Sequence, residues 1–295
     1  MVRVSDRLTI TLTRDEWVEI SVKPIGEVEV NGLRFKNYVN YTIATILLNQ
    51  LMLRGCSQQY PCFQVKKVGL YDTGGNLIKT LPLQGWSTIN ETNVHWLALR
   101  FYDGSSDQYT VGRVVLYGLQ TGDTDSESEY YILAKQVLSQ AVQKASNASL
   151  NMVWRIGLDR TDSLTRYGFW DDYLMYFDNA LLNAYQMLQG AYNLEIYNAQ
   201  QAFVKNLPYA EGPYQDTEPS GYRVDIAFDD LTTDAYMGNG FRLVCSYGGQ
   251  AIKVAQFWTS GGIGKGSSPL RYWYRIRVYY DFMDTAKGVR STYPG

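Results

Sequence analysis

The sequence predicts a β-rich α+β protein: antiparallel sheets, sandwich-like, with an inserted helical segment that contains one long helix. Three observations predict it. Short runs alternating apolar and polar residues open and close the chain, turn residues separate these runs, and apolar residues in the middle recur at steps of three and four. Runs of strands flanking helices point to antiparallel sheets rather than to alternating βαβ units. The expected division is a β-rich region with one helix over 1–122, a helical segment over 123–207, and C-terminal antiparallel strands over 208–295 that pack with the first region.

In order along the chain, residues 8–13 and 17–23 alternate strictly and are rich in Thr, Val and Ile, as half-buried strands are. A third strand over 28–30 meets Asn31-Gly32, the dipeptide preferred where a hairpin needs two left-handed residues. Residues 41–54 read as a helix, with Ile43, Ile46, Leu47 and Leu51 on an apolar face and Gly55 as its C-terminal cap. Strands return at 65–71 and 77–81 around an Asp72-Thr73-Gly74-Gly75-Asn76 turn, then at 94–102 and 109–117.

Ser126 and Glu129 are spaced as a capping box, and Tyr131, Ala134, Val137, Leu138, Ala141, Val142 and Ala145 follow helical spacing. A longer helix is expected over 171–205, where Leu174, Phe177, Leu181, Ala184, Leu188 and Ala191 approach a heptad pattern that fails at Glu195 and Asn198. Such a helix packs on the protein's own sheet or meets symmetry mates. Pro208, Pro213 and Pro219 with Gly212 and Gly221 mark a loop. Strands over 222–228, 241–247, 251–259 and 272–281 close the chain, with Gly248-Gly249 as a tight hairpin.

Composition excludes several classes. The 295 residues are 45% hydrophobic but only 19% charged, the opposite of a disordered chain. A net charge of -2 does not suit a protein that grips nucleic-acid phosphates. Arg271, Arg275 and Arg277 alternate with aromatic and aliphatic residues, as the polar face of a strand does. No apolar stretch is long enough to span a membrane as a helix, and residues 1–7 lack the apolar core of a signal peptide. Tyrosine is abundant, at 25 residues; it supplies broad contact area at low entropic cost, in sheets and at interfaces alike.

Catalytic signals are weak. His95 is the single histidine and alternates into a strand opposite to Val94 and Trp96, which suits a surface or interface residue. One histidine also argues against a zinc site, which needs about four ligands. Cys56 and Cys62 lie close enough for a small disulfide loop, and free thiols are the alternative. The glycine-rich run 261–267 lacks the spacing of a phosphate-binding loop and reads as a flexible loop. Asp171-Asp172 suits a helix N-terminus, Asp229-Asp230 the end of a strand, and Asp123 with Asp125 an acidic loop. Asn40, Asn90 and Asn147 begin Asn-x-Ser/Thr sequences.

Residues 41–118 carry a resemblance. A helix is followed by Val68-Gly69-Leu70-Tyr71-Asp72-Thr73-Gly74-Gly75-Asn76-Leu77, a Trp-containing loop, Trp96-Leu97-Ala98-Leu99-Arg100-Phe101-Tyr102-Asp103, and Tyr109-Thr110-Val111-Gly112-Arg113-Val114-Val115-Leu116-Tyr117. This segment resembles structural capsid or tail-adaptor proteins of viruses of hot-acid archaea and of tailed phages. It covers about a quarter of the chain, as a pattern of strands and turns without a catalytic motif. The resemblance implies a virion structural protein (a capsid subunit, a portal or tail adaptor, or a fibre anchor) assembled in the host cytoplasm. It also implies self-association, contacts with other virion proteins, and no catalytic, cofactor or metal site. Two other readings stand beside it: a carbohydrate- or cell-surface-binding module presenting Trp86, Trp170 and Trp258 on loops, and a polysaccharide hydrolase with two close carboxylates.

Overall fold

Alternation sets the N-terminal strands. The computed structural model describes residues 14–57, 59–123, 130–183, 188–285 and 287–288, so the expected strand over 8–13 and the Ser126–Glu129 capping box lie outside the described residues. Strand β1 (Asp15–Val22) buries Val18, Ile20 and Val22 on one face. Strands β2 (Ile25–Val30) and β3 (Leu33–Val39) form the expected hairpin. Its corner residues Asn31 and Gly32 both take left-handed backbone angles, with φ of 48° and 85°.

Helix α1 (Tyr41–Leu51) begins where the Asn40 side chain accepts a hydrogen bond from the Tyr41 backbone N–H at 2.9 Å. Ile43, Ala44, Ile46, Leu47 and Leu51 are wholly buried. Nearly every side chain of the helix is covered, as befits a core helix rather than a surface one. The helix stops at Met52, and Leu53 rather than the expected Gly55 turns left-handed, with φ of 54°.

The chain continues with β4 (Phe63–Tyr71), β5 (Leu77–Pro82), β6 (Gly85–Asn90), β7 (Val94–Asp103), β8 (Tyr109–Gln120), β9 (Tyr130–Lys144) and β10 (Leu150–Thr161). Next come β11 (Gly168–Trp170), helix α2 (Asp171–Asn183), β12 (Ala191–Tyr197), β13 (Phe203–Glu218), β14 (Gly221–Asp230), β15 (Tyr236–Tyr247), β16 (Gln250–Lys265), β17 (Leu270–Tyr279) and β18 (Lys287–Gly288).

Four expectations are corrected here. The helix expected over 131–145 is strand β9. Register shifts against β8, between Val111 and Arg113 and between Leu116 and Tyr117, reset which residues point inward. Buried Ala134, Leu138 and Val142 therefore recur every four residues and imitate a helix. The helix expected over 171–205 is α2, described over Asp171–Asn183, and it does not reach Leu188. By Ala191, the last position of the heptad spacing, the chain is a strand in which Tyr192, Leu194 and Ile196 alternate inward with a period of two. The proline loop is β13, which tolerates Pro208 and Pro213 because residues 203–208 pair only with β12 and residues 209–218 only with β14. Finally, the glycine-rich run 261–267 is not a loop up to Lys265 but the end of β16, paired with Tyr236, Met237 and Gly238. The segment expected to be helical, 123–207, thus contributes mostly strands among the described residues.

The pairings show a relation that no reading of the sequence anticipated: the two halves repeat one plan. In the first, β4 pairs with β5 and β8, β8 with β9, β7 with β6 and β10, and β3 with β9. In the second, β12 pairs with β13 and β15, β15 with β16, β14 with β13 and β17, and β11 with β16. The long β13 replaces β5 and β6. Register agrees residue by residue. Leu150 opposes Asp103 as Leu270 opposes Asp230, and Tyr109 opposes Lys144 as Tyr236 opposes Lys265. Each helix follows closely on its leading strand, α1 two residues after β3 and α2 one residue after β11.

Each helix packs on both halves. α1 packs on β14 and β17 as well as on β9 and β4 of its own half, and α2 packs on β4, β7 and β10 as well as on β16 of its own half. Reciprocal contact of this kind defines a pseudo-two-fold relation. Gln50 and Tyr173 tie the helices together, through Gln50 Nε2 donating to the Tyr176 carbonyl at 2.7 Å and Tyr173 Oη to the Leu47 carbonyl at 3.5 Å. At the outside, β1 lies parallel to β17 and β2 antiparallel to β10, so two consecutive strands bridge both halves.

Together the strands make one curled, mixed β-sheet of half-barrel form, with one continuous core that includes both helices. Among the described residues, no helix is long and apolar enough to cross a membrane.

Candidate functional site

Ionisable side chains gather at several points in the polar interior. His95 on β7 is buried rather than at the surface. Its Nε2 lies 2.7 Å from Asp178 Oδ2 on α2, and its Nδ1 lies 2.6 Å from Asn90 Oδ1 on β6. Burial raises the Asp178 carboxyl, against the lowering effect of His95. The other carboxylate oxygen of Asp178 has no partner among the described residues, and both groups are buried. This pair locks α2 onto the first half.

Two equivalent turns hold Asp103, Lys144, Asp230 and Lys265, four more of the buried charges. Between β7 and β8, Lys79 Nζ reaches Asp103 Oδ1 (3.3 Å), Ser105 Oγ (3.0 Å) and Asp107 Oδ2 (2.6 Å). Tyr109 Oη donates to Asp103 Oδ2 at 2.5 Å, while buried Lys144 donates to the carbonyls of Ser105 and Asp107. Between β14 and β15 the same set recurs. Lys205 Nζ reaches Asp230 Oδ1 (3.2 Å), Thr232 Oγ1 and Asp234 Oδ2 (3.0 Å), Tyr236 Oη donates to Asp230 at 2.8 Å, and Lys265 donates to the carbonyls of Thr232 and Asp234. Asp-x-Ser/Thr-x-Asp-x-Tyr is thus a repeated motif in which a lysine ammonium fills the space between the carboxylates. Asp229-Asp230 ends β14 as expected, but Asp230 belongs to this turn while Asp229 faces out.

The outer face of the sheet formed by β13, β14, β17 and β1 carries the candidate site. Leu270, Tyr272, Tyr274 and Ile276 point into the core, so Arg271, Trp273, Arg275 and Arg277 point out, as the strand pattern predicts. Parallel pairing sets Trp17 beside Trp273, and the rings stack with centroids 5.3 Å apart and 12° between planes. Tyr214 approaches Trp273 at 6.3 Å, and the Arg275 guanidinium lies 4.2 Å from the Trp17 ring centre. Trp17 is 46% exposed and Tyr214 52%.

Carboxylates brace the arginines around this aromatic row. Asp229 takes Arg271 through two bonds (2.7 and 2.9 Å), and Asp225 takes Arg275 likewise (2.8 and 2.9 Å). Glu19 and Glu218 take Arg277. Forked pairs of this kind fix a guanidinium plane. The Asp229 bonds hold the Arg271 pKa above its usual value. The face is therefore aromatic, rigid and nearly charge-neutral.

Other residues singled out in the sequence lie apart. Asp171 opens α2 and binds Arg160 through two bonds, at 2.5 and 2.8 Å. Asn40 is buried as the cap of α1, Asn90 meets His95, and Asn147 lies exposed between β9 and β10. Trp86, Trp170 and Trp258 sit on strands β6, β11 and β16 rather than on loops. Cys56 and Cys62 form a disulfide, and Cys245 is a buried free thiol. Asp123 is described but Asp125 is not. Among the described residues, no group of three His, Cys, Asp or Glu side chains is placed to hold a metal ion. No family model matches the chain, and no curated protein or solved structure matches it.

Proposed function

We propose that the chain is a non-enzymatic virion structural protein that self-associates and contacts other virion proteins, as a capsid subunit, portal or tail adaptor, or fibre anchor. In this reading each half is a sandwich-like unit, and the duplication gives one chain two similar shapes for lateral packing. The observation that carries the reading is the exposed Trp17–Trp273–Tyr214 row, set in a neutral lattice of forked ion pairs. Aromatic and arginine anchors of low rotamer freedom, with neighbouring charges already satisfied, are what a stable protein contact requires. The interior supports the same reading. His95 and Asp178 are sealed beneath β7, and the paired carboxylates of both turns are occupied by lysines.

The second copy of the chain is the proposed partner of this face. Trp17→Glu and Tyr214→Glu test it, because both side chains are exposed and their loss leaves the core intact. The expected result is a folded protein, by circular dichroism, whose sedimentation shows only monomer. Variants that assemble like the wild type would refute the assignment of the face.

A further inference from the structure

A second surface feature adjoins that face and shares Glu19 of β1 with it. The segment joining β10 to β11 stands over two adjacent cavities that share Tyr167 as a wall. One, of about 370 Å³, is lined by Asn93, Asp159, Arg160, Thr165, Arg166 and Tyr167. The other, of about 310 Å³, lies between Tyr167, Phe257 and Trp258 on one side and residues 19–21 of β1 on the other. Both volumes are at the lower end of the range for small-ligand sites.

The polar groups of the first cavity are unevenly satisfied. Arg160 is spent on Asp171 and Asp162. The Asp159 carboxyl is half-buried, has no hydrogen-bond or ion-pair partner among the described residues, and is raised by burial alone. Arg166 is exposed and donates only to Asn93 Oδ1, at 3.2 Å. The cavity thus offers one free acceptor and one free multiple donor, of opposite charge. A half-buried polar group without a partner is a cost to the fold that a ligand can recover.

The mixture selects the ligand class. An anion drawn to Arg166 meets Asp159 and Asp162, and a cation drawn to Asp159 meets Arg160 and Arg166. A neutral polyhydroxylated ligand satisfies both, since each hydroxyl donates and accepts. Tyr167, 64% exposed, and Trp258 with Phe257 beyond it give aromatic faces for the C–H face of a sugar ring. We propose that the paired cavities form a binding site for a neutral saccharide, with one ring against Tyr167 and its hydroxyls held by Asp159, Arg166 and Asn93. The site binds sugar without cleaving it and does not depend on self-association.

The test titrates the full chain with cellobiose, maltose, lactose, mannobiose and chitobiose. Saturation-transfer NMR and intrinsic tryptophan fluorescence are the readouts, with inorganic phosphate and tetramethylammonium as charged probes. At least one disaccharide should saturate, and neither charged probe should. Tyr167→Ala, Asp159→Asn and Arg166→Ala should each weaken binding by about tenfold or more. Tyr38→Ala, which changes an exposed tyrosine on β3, should leave it unchanged. Saturation by no disaccharide, saturation by a charged probe instead, or unchanged binding in all three cleft variants would overturn the proposal. Arg166 and Tyr167 are exposed, and circular dichroism matching the wild type shows that each variant is folded, so loss of folding cannot mimic the expected result.

Discussion

Lys79 and Lys205 occupy the same place in the two halves of the chain. Lys79 on β5 directs its ammonium into the turn after β7, where it meets Asp103 and Asp107, and Lys205 on β13 into the turn after β14, where it meets Asp230 and Asp234. A fixed cation thus stands between the carboxylates of both turns, and the duplicated sheet plan is pinned at equivalent points.

Removing either lysine leaves a buried carboxylate uncompensated. Lys79→Met and Lys205→Met should each destabilise the fold by about 3 kcal/mol, the usual cost of breaking a largely buried pair. The turns share no residue, so the double variant should lose the sum to within about 0.5 kcal/mol. Urea unfolding of the four proteins measures this, and a double variant no weaker than the single ones would contradict it.

Acid should unmake the same turns. Burial alone would raise Asp103 and Asp230, but bonds from Tyr109, Ser105 and Lys79, and from Thr232, Tyr236 and Lys205, outweigh it and hold both carboxyls below their ordinary range. A carboxyl depressed in the folded state contributes stability that is whole above its unfolded pKa, about 3.9, and is lost as pH falls through the folded value. Urea midpoints should therefore fall steeply below about pH 4, and an Asp103→Asn, Asp230→Asn variant should fall less steeply. Equal slopes would contradict the assignment.

The buried pair between sheet and helix behaves differently. His95→Leu strands Asp178 without a partner and should cost about 3 kcal/mol. Adding Asp178→Leu should recover part of that loss, because no charge then remains buried. A double variant weaker than the sum of the single ones would show that the pair does not act as a unit.

Thiol chemistry should distinguish the three cysteines. Burial pushes the Cys245 thiol up to about 12, and Cys56 and Cys62 are joined. The native chain should take up no alkylating label at neutral pH, the unfolded unreduced chain one, and the reduced unfolded chain all three. Closing so small a loop should be worth about 2 kcal/mol, read as a lowered urea midpoint after reduction. A native chain that labels readily would contradict the buried position of Cys245.

Much of the fold was legible where local chemistry and tertiary pairing agree. The Asn31-Gly32 and Gly248-Gly249 hairpins, the strands on either side of Asp72 to Asn76, helix α1 and the outward arginines of β17 all follow from period and turn type. β9 was not legible because its register shifts turned inward residues into a helical spacing. β12 was hidden because Ala191, its first residue, continues the steps of three and four that run from Leu174 to Leu188. The repeat was invisible for another reason. Its marks are few, Lys79 and Lys205, Lys144 and Lys265, and the Asp103 and Asp230 turns, and the spacing from the first lysine to the first aspartate differs, at 24 and 25 residues. Alignment by eye fails at one shifted residue, whereas the sheet register restores it. The aromatic face needed the parallel pairing of Trp17 with Trp273, which joins residues from opposite ends of the chain and leaves no local trace.

The central claim is self-association through that face. Light scattering on the full chain across a concentration series measures it most directly. The account predicts a closed multimer of fixed mass that Trp17→Glu reduces to monomer. A wild-type chain that remains monomeric at every concentration would contradict it.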